Sequence, residues 1–154
     1  MVDRVVGCKN VLGKNPGIKV LSNDQDGKGS REGGLTVAQG YLTRFAKIDA
    51  IFAINDPQAI GTDLAARQQQ RTGIVITAVD GAPDIEAALK DPQAAQVQAS
   101  ASQDPFFMAR RAVQVGVSIL NGQKPASTVE LLPSKLVTRD NVGEYKGWTS
   151  DRSQ

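Results

Sequence analysis

The sequence predicts an α/β protein, a doubly wound parallel sheet with helices on both faces. Short apolar runs alternate with amphipathic segments along most of the chain, the pattern of βαβ units. The run "IVITAV" (74–79) is apolar on both sides, as a strand covered by helices on both faces must be. At "IDAIFAINDPQAIG" (48–61), "ITAVDGAPD" (76–84) and "ASASQDPFFMA" (99–109), an apolar run stops on polar residues and a helical pattern follows at once.

Each element follows from spacing and punctuation. Val5, Cys8 and Leu12 predict a helix over 3–14 that ends near Gly13, with Pro16-Gly17 as a turn. "IKVLS" (18–22) is a strand candidate, and the polar run 23–34 is a loop. Leu35, Ala38, Leu42 and Phe45 give a second amphipathic helix. A strand over 49–54 is followed by a helix over 57–70, then the strand 74–79 and a short helix over 84–90. A weaker strand covers 95–101, and residues 105–121 carry the longest helical pattern; a five-stranded layer is expected for residues 1–104. "TVELL" and "KLVT" are short extended pieces of the tail, where Tyr145 and Trp148 read as anchors rather than ligand-stacking rings.

Composition narrows the function. The chain of 154 residues, 40% hydrophobic and 22% charged, is long enough for one domain with its own core. Its net charge of +2 is spread over interspersed Lys and Arg, which argues against a nucleic-acid partner. There is no histidine, so His-based triads and most zinc sites are excluded. The one cysteine, Cys8, lies on the apolar face of the first helix and reads as a small hydrophobe. No apolar run approaches the ~20 residues of a membrane span, and the first residues do not read as a signal peptide. The loop "DGKGSREGG" lacks the Gly-Lys-Ser/Thr spacing of a phosphate-binding loop.

Ligands of open parallel sheets bind beyond the carboxyl ends of the strands. Asn55, Asp80 and Gln103 each stand at or just past such an end and are expected to share one rim. Asp56 and Asp104, each followed by Pro, are expected to cap the next helices. An amide supplies donor and acceptor, a carboxylate strong acceptors; with a guanidinium they match a ligand bearing several adjacent hydroxyls. Nothing resembles an activated nucleophile or a paired general acid and base, and no metal or cofactor is called for. The rim reads as recognition, not reaction.

At these residues the chain resembles the periplasmic sugar-binding proteins of ABC transporters, the ribose-binding type. The matching motifs are "FAINDPQAIG", "ITAVDGAPDIEAAL", "ASASQDPFFMARRAV" and "LVTRDNV". The resemblance implies that Asn55 bonds sugar hydroxyls, that Asp80 accepts from two hydroxyls, and that Gln103 joins them. It also places a ligand-binding Arg at Arg4, in "RVVG". The loop 27–31, "GKGSR", lacks the aromatic that the family often stacks on the sugar, so pentose, hexose and polyol stay open.

The resemblance further implies a two-lobed protein of which this chain is the C-terminal half. Residues 1–104 would be the ligand-binding lobe, and 105–154 the helix and strands that return toward a first lobe. The expected partners are a monosaccharide or polyol and the membrane permease of an ABC importer, with a homo-oligomer through helix 105–121. The full-length family is periplasmic. The alternative is the effector domain of a lactose-repressor-type regulator without its DNA-binding head. A phosphoryl-accepting receiver or small α/β enzyme is a third reading, using Asp24, Asp26 and Asp80, but no phosphate-facing Lys is evident at a late strand end.

Overall fold

The structure is a computed structural model that describes residues 2–151. Its elements are α1 (Val2–Leu12), α2 (Arg31–Arg44), β1 (Ala50–Phe52), α3 (Asp56–Gln68), β2 (Val75–Asp80), α4 (Pro83–Lys90), a 3-10 turn (Pro92–Ala94), β3 (Val97–Ser102), α5 (Pro105–Leu120) and β4 (Lys135–Thr138). The strands form one sheet in the order β1-β2-β3-β4. β1, β2 and β3 run parallel, joined by the crossover helices α3 and α4, and β4 returns antiparallel to β3. The α/β layer is thus the expected one, with a mixed rather than purely parallel sheet.

Its core lies beneath α2, α3 and α4. Ile76, Ile85, Leu89 and Val97 are fully buried, and α3 contributes Ala59, Ala65 and Ala66. Small residues let α2 and α3 approach closely: a Cβ on Gly61 would run into the backbone of Arg31 and Leu35, and one on Gly34 into the backbone of Gln58. The C-terminal carbonyls of α2 are collected by Arg71, which donates to Leu42 O at 2.9 Å and Ala46 O at 2.8 Å.

Three expectations need correction. The segment 18–22 forms no strand: it has no regular structure and pairs with no strand of the sheet, with Ile18, Val20 and Leu21 exposed. A strand exists only where a neighbour takes its backbone bonds, and among the described residues the sheet ends at β1, so the layer has four strands, not five. The loop 23–34 is shorter than expected, because α2 starts at Arg31 with Ser30 as N-cap, its hydroxyl accepting from Gly33 N at 3.0 Å. "TVELL" is irregular and largely exposed. Within the segment after residue 105, β4 pairs with β3 in this sheet, and Val137 and Val142 lie in its core.

Helices α1 and α5 differ from the rest, since neither holds a buried residue. Among the described residues no helix is long and apolar enough to cross a membrane.

Candidate functional site

β1, β2 and β3 deliver their carboxyl ends to one rim, and the polar residues there touch. Asp80, the last residue of β2, accepts at Oδ1 from Gln103 Nε2 at 2.6 Å and from Arg4 Nη2 at 2.7 Å. Arg4 also donates through Nη1 to Ile54 O at 2.7 Å, which ties it to the end of β1 beside Asn55. All four sequence-selected residues therefore gather at the rim, three by side-chain bonds and Asn55 through its neighbour. The Arg4 and Asp80 side chains are 23% and 16% exposed, open enough for a solute to reach yet partly dried. Among the described residues no partner reaches Asp80 Oδ2, which leaves one strong acceptor for hydroxyl donors.

Asn55 carries a second duty. Its Oδ1 accepts from Gln58 N at 3.2 Å, making Asn55 the N-cap of α3, and its Nδ2 donates to Gly29 O at 2.8 Å. The expected cap, Asp56, is corrected by one residue. Asp56 is fully buried; Oδ2 accepts from Ala82 N and Oδ1 from Ser100 Oγ, both at 2.7 Å. Those partners lie in the turn after β2 and in β3, so Asp56 braces neighbouring junctions rather than its own helix. Burial, ahead of these bonds, pushes its carboxyl above the usual value. Asp104 does cap α5, accepting from Phe107 N at 3.0 Å.

The turn after β2 is held unusually. Asp80 has φ +144, a region that a non-glycine residue enters at a cost of roughly 1–3 kcal/mol. Gly81 follows at φ +74, and a Cβ there would collide with the Tyr145 hydroxyl and with Ser102. Gly81 N donates to Ser100 Oγ at 3.2 Å, and Gly81 O accepts from Tyr145 OH at 2.8 Å. Trp148 Nε1 donates to Gln103 O at 3.2 Å, so both tail aromatics are anchors, as expected. Sequence reasoning missed Ser100 and the supporting duty of Asp56. The signal for Ser100 was a polar residue at an inward position of "VQASAS".

Cys8 is part-buried, and burial pushes its thiol up, away from thiolate reactivity. Among the described residues no group of His, Cys, Asp or Glu side chains is placed to hold a metal ion.

Comparison with known proteins fits this arrangement. Residues 1–124 match the family described as periplasmic binding protein domain. The ribose import binding protein RbsB of Salmonella typhimurium is 34% identical over 94 residues, 61% of this chain and 31% of that protein. The xylitol-binding protein of Mycolicibacterium smegmatis is 27% identical over 143 residues, 92% of this chain and 39% of that protein. The crystal structure of an ABC transporter solute binding protein from Bacillus halodurans with bound myo-inositol superposes with a TM-score of 0.78 at 26% identity, over 94% of this chain and 48% of that one. The chain thus spans less than half the length of each of these proteins. With the sheet, the junction motifs and the family match in agreement over most of its length, the chain belongs to the periplasmic binding protein domain family.

Proposed function

We propose that this chain is the C-terminal lobe of a periplasmic solute-binding protein, which presents a monosaccharide or polyol to the membrane permease of an ABC importer. The observation that carries the reading is the meeting of Arg4, Gln103 and Asp80 on one carboxylate oxygen, while among the described residues no donor reaches the other. A guanidinium, an amide and a free carboxylate oxygen offer donors and an acceptor within one small area, which suits adjacent hydroxyl groups. The names of relatives support the same class: ribose, xylitol and myo-inositol are all polyhydroxylated and uncharged. These relatives are named as binding proteins, which supports binding without a chemical step.

The grip in this reading is two-walled: the rim forms one wall, and a first lobe, met through α5, forms the other. One wall leaves the ligand largely hydrated, so this chain alone binds weakly. The test is titration with ribose, xylitol and myo-inositol, followed by thermal shift and by amide chemical shifts. The expected result is a small, saturable response at the rim that Asp80→Ala abolishes. A response that survives Asp80→Ala, or micromolar affinity by calorimetry, refutes the site or the two-walled grip, respectively.

A further inference from the structure

The C-terminal arc 142–148 lies outside the stretch that matches the family, residues 1–124, yet it touches the backbone of the rim twice. Tyr145 OH donates to Gly81 O at 2.8 Å, on the residue that follows Asp80. Trp148 Nε1 donates to the carbonyl of Gln103 at 3.2 Å. These two backbones are themselves joined, because Gln103 N donates to Asp80 O at 2.8 Å. One short arc therefore pins both strand ends whose side chains meet at Asp80 Oδ1.

The arc is mounted firmly enough to act as a brace. β4 leads into it, paired with β3 from Ala99↔Thr138 to Ser102↔Lys135. Arg139 then donates to the carbonyls of Ala88, Asp91, Ala94 and Val97, fastening the arc to the end of α4 and the start of β3. Val142 is buried at its base. Fixing a few donors in place matters most where the supported residue is strained, and Asp80 at φ +144 is such a residue.

We propose that Tyr145 and Trp148 are positioning residues of the solute site: their bonds to Gly81 O and Gln103 O hold Asp80 and Gln103 in the geometry that meets the ligand. This rests on the solute-binding reading above only for the ligand, since the preorganisation exists without one. Tyr145→Phe and Trp148→Phe remove one donor each and keep the apolar ring, so the fold survives.

The test uses the whole chain and two readouts. Without ligand, the side-chain amide resonances of Gln103 are followed by NMR, since its Nε2 donates to Asp80 Oδ1. In the parent background Asp80→Asn displaces them; in either variant background this coupling is lost, while the melting temperature and the α2–α3 resonances hold. With ribose, xylitol or myo-inositol, either variant weakens the response by about tenfold or less, the size of one lost hydrogen bond. Variants that keep the ligand-free coupling overturn the brace, even if the parent binds a polyol. A parent that responds to no polyol, with the coupling still lost in the variants, leaves the brace standing and removes the solute-binding reading instead.

Discussion

The guanidinium of Arg4 sits 2.7 Å from the carboxylate of Asp80, across 76 residues of chain. This contact fastens α1, none of whose residues is fully buried, to the end of the central strand β2. It predicts a separation of stability from binding. The pair is only 23% and 16% exposed and Arg4 also bonds Ile54 O, so Arg4→Ala should lower the unfolding free energy by about 1–3 kcal/mol, short of unfolding the chain. The same change removes the charged donor of the rim and should abolish the polyol response. Denaturant unfolding beside ligand titration checks both, and a variant that binds as the parent does removes Arg4 from the site.

Asn55 offers a second separation, between capping and loop tethering. Its Oδ1 caps α3, while its Nδ2 holds Gly29 in the loop before α2. Asn55→Ser keeps a cap and loses the tether; Asn55→Ala loses both, at a cost of about 1 kcal/mol for the cap. Hydrogen exchange should therefore show the 27–30 loop loosened in both variants and α3 loosened only in the Ala variant. Equal loosening of α3 in both means that the cap does not hold the helix.

How far the sequence could be read follows from the same residues. The apolar runs and helical stripes are local, so β2, α4, α5 and the junction residues at 55, 80 and 103 were legible. The choice of cap was not. Asn55 and Asp56 are both good caps one position apart, and what decides between them is the bonding of Asp56 to Ala82 and Ser100, 26 and 44 residues away. The start of α2 was hidden likewise: Gly33 and Gly34 look like loop residues until α3 is seen to pass against Gly34. "IKVLS" has strand chemistry, but a strand also needs a neighbour, and no window of sequence contains that. The touching of Arg4, Asp80 and Gln103 was legible only as a shared rim; the single shared oxygen is a product of the fold.

Buried Asp56 predicts a pH dependence. Burial raises its carboxyl above the ordinary value, and burial does the same to Asp63. A group that binds its proton more tightly folded than unfolded lends stability that is complete below the unfolded value and is lost as pH rises through the raised folded one. Asp56→Asn removes this part of the slope. Its carbonyl accepts from Ala82 N, and its amide donates to Ser100 once that hydroxyl turns, so the variant should fold. Urea unfolding from acid to neutral pH should show the parent losing more stability than the variant. Identical slopes would mean that Asp56 is solvated in solution and does not brace the junctions.

Helix α5 predicts association. Phe106, Val113, Val117 and Leu120 fall on one stripe at helical spacing and are 48%, 66%, 51% and 87% exposed. Phe107 and Met108 widen the apolar surface near its start. A continuous stripe of this kind forfeits burial that contact with another surface restores, at roughly 25 cal/mol per Å² of apolar area. In the two-lobed reading that surface is the first lobe; with this chain alone in solution, a second copy takes its place. Light scattering should show a mass that rises with concentration toward a dimer or beyond. Val117→Glu with Leu120→Glu should return the monomer with an unchanged melting temperature, because α5 contributes no buried residue to the core. A parent that stays monomeric at millimolar concentration would show that the stripe tolerates water and that copies of this chain do not pair through it.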